Sequence, residues 1–263
     1  MSLLRAQLRA VGAAFAFLTR LPLGPLASHD PADLPASVVY FPVVGLVVAA
    51  FGGVAFAVAA HFWSVPIALL FSMIATVLAT GAFHEDALAD ALDGFGGGWS
   101  RDQVLTIMKD SRVGSYALVG VILVLALKFA ALSSIAANPA AIERIVRALI
   151  AGHTLGRWSS VPLIRAYAYV RPTAEGERPS AGRPFVSGVS VARLTVATVI
   201  ALAIVVAALE GRAVGPIAVM LVLTFLAGKY FRQRIGGITG DALGAANQLV
   251  EVGVYLVLAA PVS

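Results

Sequence analysis

Tyr116-Ala117-Leu118-Val119-Gly120-Val121-Ile122-Leu123-Val124-Leu125-Ala126-Leu127-Lys128-Phe129-Ala130-Ala131-Leu132-Ser133-Ser134-Ile135-Ala136-Ala137 is the stretch on which the fold turns. It carries a single charge, Lys128, and is long enough to cross a bilayer, which takes about 17–25 apolar residues. Comparable runs lie at Val38–Ala60, Pro66–Phe83, Leu149–Tyr169, Val191–Leu209, Val214–Lys229 and Leu249–Ala260. The third of these contains His153, Arg157 and Arg165, and the last is short and begins beside Glu251. Backbone polar groups find no water inside lipid, so open sheets cannot span it, and barrel strands would alternate polar with apolar residues. The runs therefore predict an all-α fold, a polytopic transmembrane helical bundle of about 6–7 spans, with residues 1–263 forming a single integral membrane domain.

Composition agrees. The chain is 59% apolar and 13% charged, with a mean hydropathy of +0.90, where soluble domains sit near 45–50% and 25%. Before the first span, Leu4, Leu8, Val11, Phe15 and Leu18 share one helical face and Arg5 and Arg9 another. Residues 3–19 thus read as an amphipathic helix lying in the interface. A signal peptide fits less well, because Arg20 and Pro22 interrupt the run and no small-residue cleavage site follows. The absence of cysteine excludes disulfides, thiolate zinc sites and cysteine nucleophiles, leaving carboxylates and histidines for any metal.

The net charge of +5 has a topological explanation that needs no nucleic acid. With the N-terminus inside, Arg5, Arg9, Arg20, Arg101, Lys109, Arg112, Arg165, Arg171, Arg178, Arg183, Arg193, Lys229, Arg232 and Arg234 all fall inside, whereas Arg212 falls outside. The positive-inside rule then places the N-terminus in the cytoplasm, and with it the loops after the second, fourth and sixth runs. An active site assembled from those loops would face the cytoplasm.

The densest chemistry is His84-Glu85-Asp86-Ala87-Leu88-Ala89-Asp90-Ala91-Leu92-Asp93-Gly94. On a helix Asp86, Asp90 and Asp93 are spaced i, i+4, i+7 and share a face. Their mutual repulsion grows at a low-dielectric boundary and is reversed by a divalent cation. An oxygen-only donor set suits Mg²⁺ or Mn²⁺ rather than zinc. The plain alternative is a solvated acidic loop. Phe95-Gly96-Gly97-Gly98 ends this helix, and Ser100-Arg101-Asp102-Gln103 reads as a capping box that opens the next. That helix delivers Lys109, Asp110, Ser111 and Arg112, with cations for phosphate oxygens; Asp110 either extends the metal site or pairs with a neighbouring cation. In Gly236–Ala245 four glycines allow close backbone approach, around Thr239, Gly240 and Asp241, although glycines also serve helix packing. Arg157, Arg165 and Arg171 add positive charge or act as snorkelling anchors, and Lys128 requires a buried partner or water. Carboxylates for metal and cations for phosphate are the inventory of metal-dependent phosphoryl transfer.

These motifs resemble the cobalamin synthase family, the adenosylcobinamide-GDP ribazoletransferases. The resemblance rests on Phe17–Pro22, Tyr40–Gly45, His84–Gly94, Ile107–Gly114, Gly156-Arg157 and Gly236–Ala245. The chain departs from the family at Ala87, at Ala91-Leu92 and in a longer, proline-rich Arg171–Val186 loop. The resemblance implies a multi-pass protein of a bacterial inner membrane, surrounded by lipid and compatible with a homo-oligomer. Its substrates would be adenosylcobinamide-GDP and α-ribazole or its 5′-phosphate, and its cofactor Mg²⁺. On that basis Asp86, Asp90, Asp93 and Asp110 are the expected metal ligands. Lys109, Ser111, Arg112, Arg20, Arg157 and Gly240 are expected to bind substrate, and either Asp241 or His84 to accept the hydroxyl proton, unless a metal-activated alkoxide needs neither. Asp90-x-x-Asp93-Gly94 also resembles the start of the CDP-alcohol phosphotransferase motif, but that motif's Ala-Arg and later aspartates are missing. A transporter reading rests on Lys128 and Arg157 alone, without the internal repeat common in such folds.

Overall fold

The computed structural model describes residues 3–137, 140–170 and 189–261. The Arg171–Val186 loop singled out above lies outside the described residues. Among those described the chain is helical, with one isolated parallel bridge between Tyr169 and Ile238. Helix α1 (Leu3–Leu18) matches the expected amphipathic segment: Leu3, Leu4 and Leu8 are exposed, while Ala10, Ala13, Ala14 and Leu18 pack inward. Arg9 ties the following loop to it through Asp30 (2.7 Å) and Asp33 (2.8 Å).

A short α2 (Leu34–Ser37) leads into α3 (Phe41–Phe62), and then come α4 (Val65–Thr80), α5 (Phe83–Gly97), α6 (Arg101–Ile107) and α7 (Ser115–Ala136). The bundle is completed by α8 (Ala141–Ala166), α9 (Val191–Leu209), α10 (Val214–Ile235) and α11 (Gly240–Ala259). Among the described residues five helical segments are long and apolar enough to cross a membrane, or six if the bent pair α4–α5 counts as one span. Prolines at the first turns of α3 and α4 suit positions whose N–H has no helical partner. Exposed apolar faces on α4 (Leu70, Ile74), α7 (Leu118, Ile122), α9 (Val196, Val199) and α10 (Val222, Phe225) are the surface that lipid would cover.

Four runs differ from their expected limits, the sixth by running on from Lys229 to Ile235. The second stops at Thr80, because Gly81 and Ala82 both adopt left-handed backbone (φ 66° and 57°) and turn the chain by 88° into α5. The fourth begins earlier, at Ala141, and is the buried axis of the bundle, with every residue from Ala151 to Ser159 inaccessible. The seventh is a full 20-residue helix starting at Gly240. Close packing along the axis depends on Gly45, where a Cβ would overlap the backbone carbonyl of His153.

One end of the bundle gathers α5, α6 and the ends of several longer helices. Arg101 Nε donates to the Ile235 carbonyl at the end of α10 (2.9 Å). Arg234 donates to the Phe95 and Gly98 carbonyls (3.2 and 2.8 Å). Ile238 donates its N–H to the Ala168 carbonyl and accepts the Val170 N–H, both in the segment after α8. At the other end Arg147 pairs with Glu143 and Glu210.

Candidate active site

Helix α5 carries the acidic face. Asp86 is exposed, Asp90 half-buried and Asp93 buried. The helix ends at Gly97 as the glycine run predicts. The Ser100 capping box is present, Ser100 Oγ accepting from the Gln103 N–H while the Gln103 side chain accepts from the Ser100 N–H. Arg20 reaches the start of α5: its side chain lies over Gly81, where a Cβ would stand 2.6 Å from Arg20 Cγ.

Two expected metal ligands have other work. Asp93 accepts the backbone N–H of Gly114 (2.6 Å) and of Ala117 (2.8 Å), and so caps α7, whose first N–H groups have no helical partner. Asp110 accepts from the Arg112 N–H (3.0 Å), Nε (3.0 Å) and Nη2. The Arg112 side chain first, and its backbone N–H second, hold the Asp110 carboxyl at about 2. Of the two roles left open for Asp110, the structure supplies the ion pair. Lys109, Ser111 and Arg112 stand exposed on the α6–α7 turn.

The glycine segment forms the junction of α10 and α11. Gly236 takes left-handed backbone (φ 82°), and a Cβ on Gly237 would overlap the Ala168 carbonyl. Thr239 caps α11, its hydroxyl accepting the Ala242 N–H (3.1 Å). Gly240 and Asp241 open that helix. A Cβ on Gly244 would overlap Ala87, so α11 presses directly on α5. Asp241, one turn earlier on the same helical side, is buried at that junction. His84 is buried too and packs edge-on against Phe83.

Arg157 is enclosed by the bundle. Only 2% of it is accessible, and its Nη1 donates to the His153 carbonyl (3.2 Å) and meets His153 Nδ1 (3.3 Å). Among the described contacts Arg157 is thus held by His153 of its own helix. Lys128 finds Glu251 (2.9 Å) and the Gln248 carbonyl oxygen (2.8 Å); Glu251 also meets His153 Nδ1 (3.2 Å) and accepts from Tyr255 (3.1 Å). Gln248 in turn donates to Glu85 Oε1 (3.0 Å). The sequence reading had no place for Glu85 or Gln248. The signal was present, since Asn247, Gln248 and Glu251 interrupt the apolar residues of α11 at mid-length.

Among the described residues no three His, Asp or Glu side chains converge closely enough to enclose a cation. Mg²⁺ nevertheless needs few protein ligands, completing its shell with water and substrate phosphate oxygens. Asp86 and Asp90, one turn apart with only oxygen donors, fit that requirement.

Residues 10–259 match the family described as cobalamin-5-phosphate synthase. The chain belongs to that family. Among curated proteins it is similar to the adenosylcobinamide-GDP ribazoletransferase of Shewanella frigidimarina, 41% identical over 97% of this chain and 95% of the relative. The protein of that name from Shewanella woodyi is 39% identical over 98% of both chains. That from Ralstonia nicotianae is 35% identical over 99% and 98%. No solved structure matches. The matched residues 10–259 take in α5 and α11 of this chain.

Proposed function

We propose that this protein is an adenosylcobinamide-GDP ribazoletransferase. The 3′-hydroxyl of α-ribazole, or of its 5′-phosphate, attacks the cobinamide-bound phosphorus of adenosylcobinamide-GDP. A new P–O bond forms, the bridging P–O bond of the diphosphate breaks, and GMP leaves. The observation that carries the reading is the gathering of an acidic helix, a basic turn and a glycine-opened helix at one end of an apolar bundle, in a chain whose full-length relatives bear that name.

Asp86 and Asp90 would hold Mg²⁺, which when bound neutralises charge on the diphosphate. Lys109, Ser111 and Arg112 are exposed on the α6–α7 turn and bind phosphate oxygens, with Arg20 at the head of α5. Asp241, at the contact of α11 with α5, is better placed than His84 to take the hydroxyl proton, because α11 begins at the end of the bundle where the basic turn stands. The His84 ring instead packs inward against Phe83. Fixing alcohol and diphosphate in line supplies much of the rate, since there is little covalent chemistry for the protein to perform. We assign the acidic face to the cytoplasmic side of a bacterial inner membrane, from the bias of arginine and lysine.

The test is reconstitution in liposomes with both substrates, with and without Mg²⁺, following GMP and corrinoid product together. Equimolar, Mg²⁺-dependent release is expected. A folded preparation that forms neither product overturns the proposal.

A further inference from the structure

Helix α5 is not held by the helix that precedes it. The left-handed pair Gly81-Ala82 breaks the hydrogen-bond ladder and turns the chain by 88°, so α4 fixes neither the rotation nor the depth of α5. Its packing does so in part, with Ala87 against Gly244 of α11 and Arg234 on the Phe95 and Gly98 carbonyls, and two side-chain ties add to it. Near its end Asp93 is bonded to the first amides of α7. Near its start Glu85 Oε1 accepts from Gln248 of α11. The two ties are about 12 Å apart at 1.5 Å per residue, and Asp86 and Asp90 lie between them.

The second tie runs deep. Gln248 bonds Glu85 through its amide N–H and accepts Lys128 Nζ on its carbonyl oxygen, so both polar ends of one side chain are engaged. Lys128 stands about 20 Å along α7 from its first residue and is neutralised by Glu251. A buried ion pair of this kind is frequently replaceable by apolar residues at no cost in stability. Ionisable residues inside a membrane are by default functional. Glu85 Oε2 is also buried and has no hydrogen-bond partner among the described residues. The carboxylate therefore keeps its place through Gln248 and through the nearby positive charge of Arg157.

We propose that Gln248, fixed by the Lys128–Glu251 pair, is a positioning residue that holds Glu85 and thereby sets the rotation of α5 and the aim of Asp86 and Asp90. The inference rests on the reading of that acidic face as the reaction site. Severing the tie loosens the start of α5 about its axis while Asp93 still holds its end, and a misplacement of about 1 Å already costs on the order of 100-fold in rate.

Gln248→Leu cuts both bonds while leaving the Lys128–Glu251 pair intact. In liposomes its kcat should fall on the order of tenfold or more, its half-saturating Mg²⁺ should rise, and amide exchange within Glu85–Asp93 should accelerate more than in α8. Glu85→Gln, which keeps the acceptor oxygen, should behave like the parent, and Glu85→Ala like Gln248→Leu. A Gln248→Leu protein with parental kcat and parental α5 exchange, altered only in melting temperature, overturns the proposal. So does a Glu85→Gln variant as slow as Glu85→Ala, because charge rather than the bond would then matter. If the parent itself fails to turn over, the reaction assignment fails, while the exchange measurement still decides whether the tie holds α5.

Discussion

Replacing Asp93 by alanine separates a helix cap from a metal ligand. In the structure its two oxygens serve the N–H groups of Gly114 and Ala117, and Ala117 is almost wholly buried. Each bond to a charged acceptor contributes about 1.5–3 kcal/mol. Loss of a side-chain cap costs up to about 2 kcal/mol where water replaces it. Water has access to Gly114 but little to Ala117, so Asp93→Ala should destabilise the folded protein by about 2–4 kcal/mol. Asp93→Asn retains one acceptor and should lose roughly half as much. The assay is a denaturant titration in mixed micelles, read by tryptophan fluorescence, beside GMP release at a temperature where the variant is folded. Activity and stability should decline together, and added Mg²⁺ should restore neither. An Asp93→Ala protein as stable as the parent, yet inactive and rescued by high Mg²⁺, would refute the capping role and return Asp93 to the metal site.

Removing Lys128 leaves Glu251 buried without its closest cation, so Lys128→Met should cost about 3 kcal/mol or more. Adding Glu251→Gln should recover much of it in the same titration. Gly45→Ala sets a methyl against the His153 carbonyl in the bundle axis and should cost about 1–3 kcal/mol, lowering the melting temperature in detergent, while Gly211→Ala meets nothing and should be silent. The Asp110 carboxyl, held at about 2 by Arg112, has a depressed value. Its pairing is therefore complete above the ordinary carboxylate range and is lost only as pH falls through about 2. The pH–rate profile of Asp110→Asn should accordingly keep the parental shape between about pH 5 and 9; a limb that disappears in the variant would contradict this.

The parts of the fold legible in the sequence are those whose cause is local. The apolar runs, the amphipathic α1, the Ser100 box and the i, i+4, i+7 acidic face each follow from residues within a few turns of one another. What was hidden depends on distant partners. Asp93 reads as a third ligand until Gly114, 21 residues on, arrives beneath it. Lys128 plainly needed a partner, but Gln248 lies 120 residues away on a helix whose polar residues looked like the start of a short span. The bend at Gly81 was masked because Phe83 continues the apolar run. Arg157 showed charge but not depth, and burial is a property of the packed bundle.

The reaction proposed above breaks the diphosphate at the acidic face of α5. Asp90→Asn changes one oxygen for an amide on that face without altering the apolar spans. The variant should insert and elute like the parent, yet release no GMP from adenosylcobinamide-GDP and α-ribazole at any Mg²⁺ concentration tested. Near-parental GMP release by that variant would contradict it.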